Sequence, residues 1–319
     1  MSNNPEPRTR FRYRLILWSC RLAGMLPDWF LYHCLLDVLY FLLYRVARYR
    51  VSITRENLSR SFPEKSMQEL REIERKFYYN LAEVFIDTID LAGISRADLE
   101  KRVVFTDLDE QRKRTAGRNW IAMMAHYGCW EYYNSYMLYD PDCVIAGAYH
   151  PLHNEAFDCF FKTLRSRFGM IPVPMHELPR YYIRHSEGID GRSLILGLIA
   201  DQNPPKTEHS HWYRFLGQPT IFFPGAEKLA RRFHLPIYFL QIEKPARARY
   251  RLHFDEIYDG TEEVDEHEIT ARYVTKLEEM IRRRPELWMW SHKRWKHRPS
   301  AEAIANYNRR YGISEEAKA

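Results

Sequence analysis

A histidine followed five residues later by a carboxylate can carry acid–base chemistry when the two side chains face each other. The imidazole takes a proton from a hydroxyl while the carboxylate fixes its tautomer and stabilises the imidazolium. The 319-residue chain holds five such pairs: His126/Glu131, His150/Glu155, His153/Asp158, His185/Asp190 and His297/Glu302. Composition alone predicts roughly two, so the spacing by itself selects none of them. Context does select. Only His126 ends a strongly apolar run, Trp120 to Met124, and is followed by a glycine, Gly128, that lets the chain turn. Glu131 then falls in the first turn of the next helix, at its positive end. The competing account is a hydrogen-bonded corner with no chemical role.

Other candidates follow other apolar runs. Tyr149-His150-Pro151 comes after one of them, and Asp201-Gln202-Asn203-Pro204 comes after another, with Pro204-Pro205 forcing an extended exit. Asp201 can equally bond its own backbone in such a turn. Cys129, three residues past His126, invites a nucleophilic reading; a small buried hydrophobe is the commoner fate of a free cysteine. His209 and His211 suggest a metal, but their segment lacks a full ligand set and no metal site is expected. The chain has no G-x-G-x-x-G, Walker-A loop, H-E-x-x-H or G-x-S-x-G, so dinucleotide, P-loop, zincin and serine-hydrolase chemistry lack their usual support.

The elements that must position these residues read as follows. Leu70, Ile73, Phe77, Leu81, Val84, Phe85 and Ile89 recur at steps of three and four, predicting a long amphipathic helix over 66–91 capped by Ser66. Short apolar runs then alternate with amphipathic stretches. The runs are 103–105, 120–124, 144–146, 193–200 and 237–240; the stretches are 129–139, 153–168, 176–187, 224–234 and 265–284. This is the pattern of an α/β fold, a largely parallel sheet flanked by helices. Ligands in such sheets bind beyond the carboxyl ends of the strands, where His126, His150 and Asp201 fall.

Composition sets the outer limits. With 45% hydrophobic and 28% charged residues the chain is neither disordered nor a polytopic membrane protein, and its net charge of +6 allows acidic lipid, nucleic acid or an acidic carrier as partner. Five scattered cysteines without a C-x-x-C pair indicate neither a disulfide framework nor a zinc ribbon. The longest apolar stretch, Trp29 to Tyr44, carries His33 and Asp37 and falls short of the roughly 20 residues that span a bilayer. Arginines at 8, 10, 12, 14, 45, 48 and 50 bracket the N-terminal apolar region. These features suit helices lying in a membrane surface; the alternative is a buried helical hairpin. A cleavable signal peptide fits poorly, because Arg21 interrupts the preceding apolar run and no A-x-A site follows. The expected division is a membrane-associated helical segment, 1–48, and a catalytic domain, 49–319.

Across nearly its whole length the chain resembles the late lipid A acyltransferases, the lauroyl and myristoyl transferases of the wider glycerolipid acyltransferase superfamily marked by H-x-x-x-x-D/E. The resemblance rests on LPDWFLYHCLLDVLYFLLYRV, YRVSITRENLSRSFPE, HYGCWE, YHPLHNEAFD, RSRFGMIPV, ADQNPP, GQPTIFFPGAEKLA and PELWMWSHKRWKHRP. The closing segment and the DQ segment are the more specific.

This resemblance implies a glycerol-3-phosphate-acyltransferase-like fold. It further implies an enzyme on the cytoplasmic face of the inner membrane of a Gram-negative bacterium, moving a fatty acyl group from an acyl carrier protein or coenzyme A thioester to a hydroxyl of a lipid A precursor. No cofactor and no nucleic acid are expected. His126 would be the general base and Glu131 the carboxylate supporting it. His150, Asn154, Arg165, Asp201 and Gln202 are expected to bind substrate, and Arg167 is a further candidate for phosphate. Family members commonly carry Arg or Lys where this chain has His150, and an imidazole, unlike a guanidinium, is no permanent charge at neutral pH. Phe222 and Phe223 could line a tunnel for the acyl chain, although a core role is commoner at such spacing. The rival functions are an acyltransferase acting on another glycolipid or an aminolipid, a thioesterase, and a non-catalytic membrane or nucleic-acid binding module. The last draws on the basic and aromatic closing segment, which suits an anionic membrane interface equally well.

Overall fold

The computed structural model describes residues 7–205 and 211–313. Its centre is a seven-stranded sheet in the order β1-β9-β8-β2-β5-β3-β4, formed by Val103–Phe105 (β1), Trp120–Met124 (β2), Cys143–Tyr149 (β3), Ile171–Pro174 (β4), Ser193–Ile199 (β5), Ile237–Ala246 (β8) and Arg249–Tyr258 (β9). All neighbours run parallel except β8 and β9, which form an antiparallel pair. Tyr213–Phe215 (β6) and Gln218–Thr220 (β7) form a separate antiparallel hairpin. Strand β2 is buried at every position, as a central parallel strand must be, and this explains its unbroken apolar sequence.

Helices cover the sheet. The predicted long helix is Met67–Leu91 (α4), started by a capping box in which the Ser66 side chain accepts from the Glu69 amide and the Glu69 carboxylate accepts from the Ser66 amide. Shorter helices, Arg96–Arg102 (α5) and Leu108–Thr115 (α6), flank β1 in the chain, and Ala301–Tyr311 (α11) follows the closing segment. Glu155–Ser166 (α7), Leu178–Arg184 (α8), Gly225–Phe233 (α9) and Glu268–Arg283 (α10) stand where amphipathic stretches predict helices. The stretch after Gly128 folds instead as a tighter 3₁₀ helix, Trp130–Leu138, with six of its side chains buried.

In the N-terminal region, Pro7–Ala23 (α1) buries Tyr13, Ile16, Leu17 and Cys20 partly against the main core while leaving Phe11, Leu15, Trp18 and Leu22 exposed along one stripe. The following apolar stretch is helical but broken, with π-helical turns at Phe30–Leu35 and Leu42–Val46 around a short helix, Leu36–Phe41 (α2). Leu31, Tyr32 and Leu36 pack on Ala82 and Ile86 of α4. No single helix among the described residues is long and apolar enough to cross a membrane; Phe30–Val46 and Val51–Ser61 (α3) together reach that composition but meet at 86°.

The closing segment departs from its surface reading. Trp288, Trp290 and Arg294 are fully buried, and the strap they form lies across the end of β2. Arg294 stacks on Phe222 at 4.4 Å and donates to the Asn203 side chain and the Ile221 carbonyl. Phe222 itself packs on Tyr213, Phe215 and Tyr273, a core position.

Candidate active site

Strands β2 and β5 pair in parallel with Met124 opposite Ile199, and the register carried two residues further sets His126 beside Asp201. The two meet there. His126 Nδ1 lies 2.7 Å from Asp201 Oδ1, and the His126 backbone amide donates to Oδ2 at 2.9 Å. Trp288, from the strap, donates its indole N–H to the same Oδ2 at 2.8 Å. Asp201 is therefore saturated by partners and 2% exposed, whereas the His126 side chain keeps 20% of its surface open to the crevice. Burial opposes ionisation of Asp201, but His126 and the Trp288 hydrogen bond outweigh it and hold the carboxyl below the usual carboxylate range. An ionised Asp201 accepts from Nδ1–H, which leaves Nε2 as the acceptor facing outward. Trp130 crosses the imidazole edge-on at 4.9 Å, and Gln202 Nε2 stands 3.2 Å from His126 Nε2, on the side where a substrate donor would approach.

Glu131 occupies a different place from the one its spacing suggests. Its two oxygens are gripped by Arg165, at 2.6 and 3.0 Å, and Oε2 also accepts from Asn134 at 2.8 Å. No hydrogen bond joins it to His126; the carboxylate that orients the histidine is Asp201. The physical reason is the 3₁₀ winding after Gly128, which turns Glu131 toward α7, where Arg165 sits. Burial opposes ionising both members of that pair, yet each charge outweighs the cost for the other: Glu131 is held below its ordinary pKa and Arg165 above its own. A small slot of about 50 Å³, with Gly147 and Gly197 among its lining residues, adjoins the pair.

The corner needs its glycine. Gly128 has φ +53°, and a Cβ there would sit 3.2 Å from Tyr250 and 3.3 Å from Ile242. Its amide donates to the Leu287 carbonyl at 2.9 Å, and the His126 carbonyl accepts from the Met289 amide, so the strap fastens both sides of the corner. Cys129 is buried, and burial pushes its thiol well above the ordinary range, which removes the thiolate a nucleophile requires.

The expected substrate residues divide. Gln202 lies at the histidine. His150 is exposed at the end of β3, with Nδ1 3.0 Å from the Pro151 carbonyl. Asn154 caps α7 through its side-chain oxygen, accepting from the Ala156 and Phe157 amides. Arg165 is committed to Glu131, and Arg167 donates to the Leu91 and Ile94 carbonyls. Asp201 does not face the crevice. Of the two histidines considered for a metal, His209 lies outside the described residues, and His211 packs against His267 with ring centroids 4.0 Å apart. Sequence reasoning missed Trp288; its signal was the W-M-W pattern after Pro285, read as surface.

The chain thus has a mostly parallel α/β sheet with a carboxylate-oriented histidine at the carboxyl end of a central strand. Residues 8–297 match the family model described as bacterial lipid A biosynthesis acyltransferase, and the chain belongs to that family. It is an acyltransferase, an enzyme that transfers acyl groups. No match was found among curated proteins.

Proposed function

We propose that this enzyme transfers a fatty acyl chain from a carrier-protein or coenzyme A thioester to a hydroxyl of a lipid A precursor, with His126 as general base and Asp201 as the residue that positions it. The observation that carries the reading is the 2.7 Å contact between His126 Nδ1 and Asp201 Oδ1. With Nδ1–H directed to Asp201, Nε2 accepts the proton of the acceptor hydroxyl as its oxygen attacks the thioester carbonyl. The tetrahedral intermediate then collapses, breaking the C–S bond, and the proton on His126 passes to the departing thiolate. Direct attack requires no acyl-enzyme, in keeping with the buried, protonated Cys129. Gln202 moves aside from Nε2, or shares it, as the hydroxyl arrives. Glu131 and Arg165 act by bracing the corner against α7, and His150, exposed at the end of β3, meets substrate in this reading.

In this reading residues 1–48 attach the enzyme to the cytoplasmic face of the inner membrane and 49–319 form the catalytic unit; the exposed stripe of Phe11, Leu15, Trp18 and Leu22, continued by Met25 and Trp29, supports contact with a membrane surface. The test is mass spectrometry of lipid A from a host lacking its own late acyltransferase, expressing the wild type or His126→Ala at matched levels. A gain of one acyl chain with the wild type, absent with the variant, is expected. Unchanged lipid A with the wild type at the membrane would count against the acceptor, and free fatty acid in its place would indicate a thioesterase.

A further inference from the structure

A second hollow, of about 910 Å³, opens at the same carboxyl edge of the sheet, on the β8 side of the histidine corner. It is walled by the N-terminal segment, α4, the turn between β8 and β9, and the start of the strap. Its charge is unbalanced in a particular way. Six cations line it against three carboxylates, of which Glu83 pairs with buried Lys244 at 2.9 Å, Glu286 pairs with Arg284 at 2.6 Å, and Asp37 keeps its charge while accepting from the Tyr79 hydroxyl. Among the cations, Lys76 pairs with Glu72, outside the hollow. Arg45, Arg75 and Arg247, from three separate elements, form no ion pair with any described carboxylate. Arg247 is also held in place: its guanidinium donates to the Tyr32 carbonyl at 2.7 Å and the Tyr79 hydroxyl at 2.9 Å. A guanidinium fixed by neutral groups keeps its full charge for a ligand.

Two further features narrow the ligand. Phe41 lines the hollow and is 56% exposed, and Val38 and Leu42 beside it are exposed as well, so the cations stand next to an apolar lip. Leu287, also in the lining, accepts through its carbonyl from the Gly128 amide, two residues past His126, so the strap joins the wall of the hollow to the corner that carries the histidine. The geometry points to this hollow as the site for a phosphate of the acceptor glycolipid, bound by Arg45, Arg75 and Arg247 while the acceptor's apolar part lies on the N-terminal lip. The inference rests on the reading of the chain as acylating a phosphorylated lipid acceptor.

The test is steady-state kinetics of the full-length enzyme in mixed micelles, with a phosphorylated lipid A precursor and with the same lipid after removal of its phosphates. Arg247→Gln should raise the acceptor KM roughly tenfold, as loss of one charge-assisted hydrogen bond does. The Arg45→Gln/Arg75→Gln double variant, on exposed side chains with few contacts to lose, should raise it severalfold by the same reasoning. Donor KM and kcat stay near wild type, and the variants lose their penalty on the dephosphorylated acceptor. An unchanged acceptor KM, or an equal penalty on both acceptors, overturns the assignment. So does a rise confined to donor KM, which makes the hollow a dock for an acidic thioester carrier. If the wild type acylates no lipid A precursor, the functional reading fails separately. The hollow is then judged by cosedimentation with vesicles carrying the phosphorylated or dephosphorylated lipid: a wild-type preference for phosphate lost in the double variant supports it, and no preference overturns it.

Discussion

Two carboxylates lie near His126, and their partners separate their roles. Asp201 spends its oxygens on His126 and Trp288, so it sets the tautomer and direction of the imidazole. Glu131, whose side chain is 4% exposed, spends its own on Arg165 and Asn134. Removing Glu131 leaves a guanidinium largely buried without its counter-charge, and breaking such a pair costs about 3–5 kcal/mol. Glu131→Ala is therefore expected to lower the thermal unfolding midpoint markedly, together with whatever activity it loses; an unchanged midpoint would show that the pair does not brace the corner. The position of His126 was legible in the sequence, because a histidine and then a glycine closing an apolar run mark the corner where a buried strand turns into a helix. The choice of carboxylate was not. Spacing reports only what is local, while Asp201 lies 75 positions away and arrives through strand pairing.

Among the elements, those with unbroken apolar runs were legible: β2, β3, β5 and the first four residues of β8 lie where the runs lie, because a stretch of strand covered on both faces has few polar positions to disguise it. Strand β9 was not legible. It alternates exposed Arg249 and Arg251 with buried Tyr250 and Leu252, so it carries no run of the kind used to find the others. The closing strap was misread for a related reason: Trp and Arg together suit a membrane surface, and only the tertiary structure shows Trp288 and Arg294 turned inward. The strand-to-helix corner gives the prediction at this scale. Gly128→Ala places a methyl against Tyr250 and Ile242 in a left-handed backbone, which should cost on the order of 1–3 kcal/mol in chemical denaturation. A cost near zero would mean that the corner relaxes and that its geometry is not fixed by glycine.

For the molecule as a whole, pH acts through groups that folding buries. Burial lowers His292, within the strap, to about 4, and His211 to about 3. Both are neutral in the folded chain, whereas in the unfolded chain a histidine protonates near 6.5. Between about 4 and 6.5 the unfolded state binds the extra proton, so the contribution of His292 to stability grows as pH rises through that window and is lost as pH falls. Asp87 and Asp90, raised by burial to about 6, pull the other way over part of the same range. The share of His292 is isolated by comparing unfolding midpoints of wild type and His292→Asn from pH 7 to 4: the variant should lose less stability on acidification, and parallel curves would contradict this.

The fold's main contribution to chemistry is of the same long-range kind, since residues 126, 201 and 288 come from three distant segments that only the assembled sheet and strap bring together. The most direct test of that claim is the turnover of purified Asp201→Asn. An amide there no longer selects the tautomer that leaves Nε2 free, so kcat is expected to fall by about two to four orders of magnitude, with the unfolding midpoint little changed. Wild-type turnover in Asp201→Asn would contradict the assignment of Asp201 as the residue that positions His126.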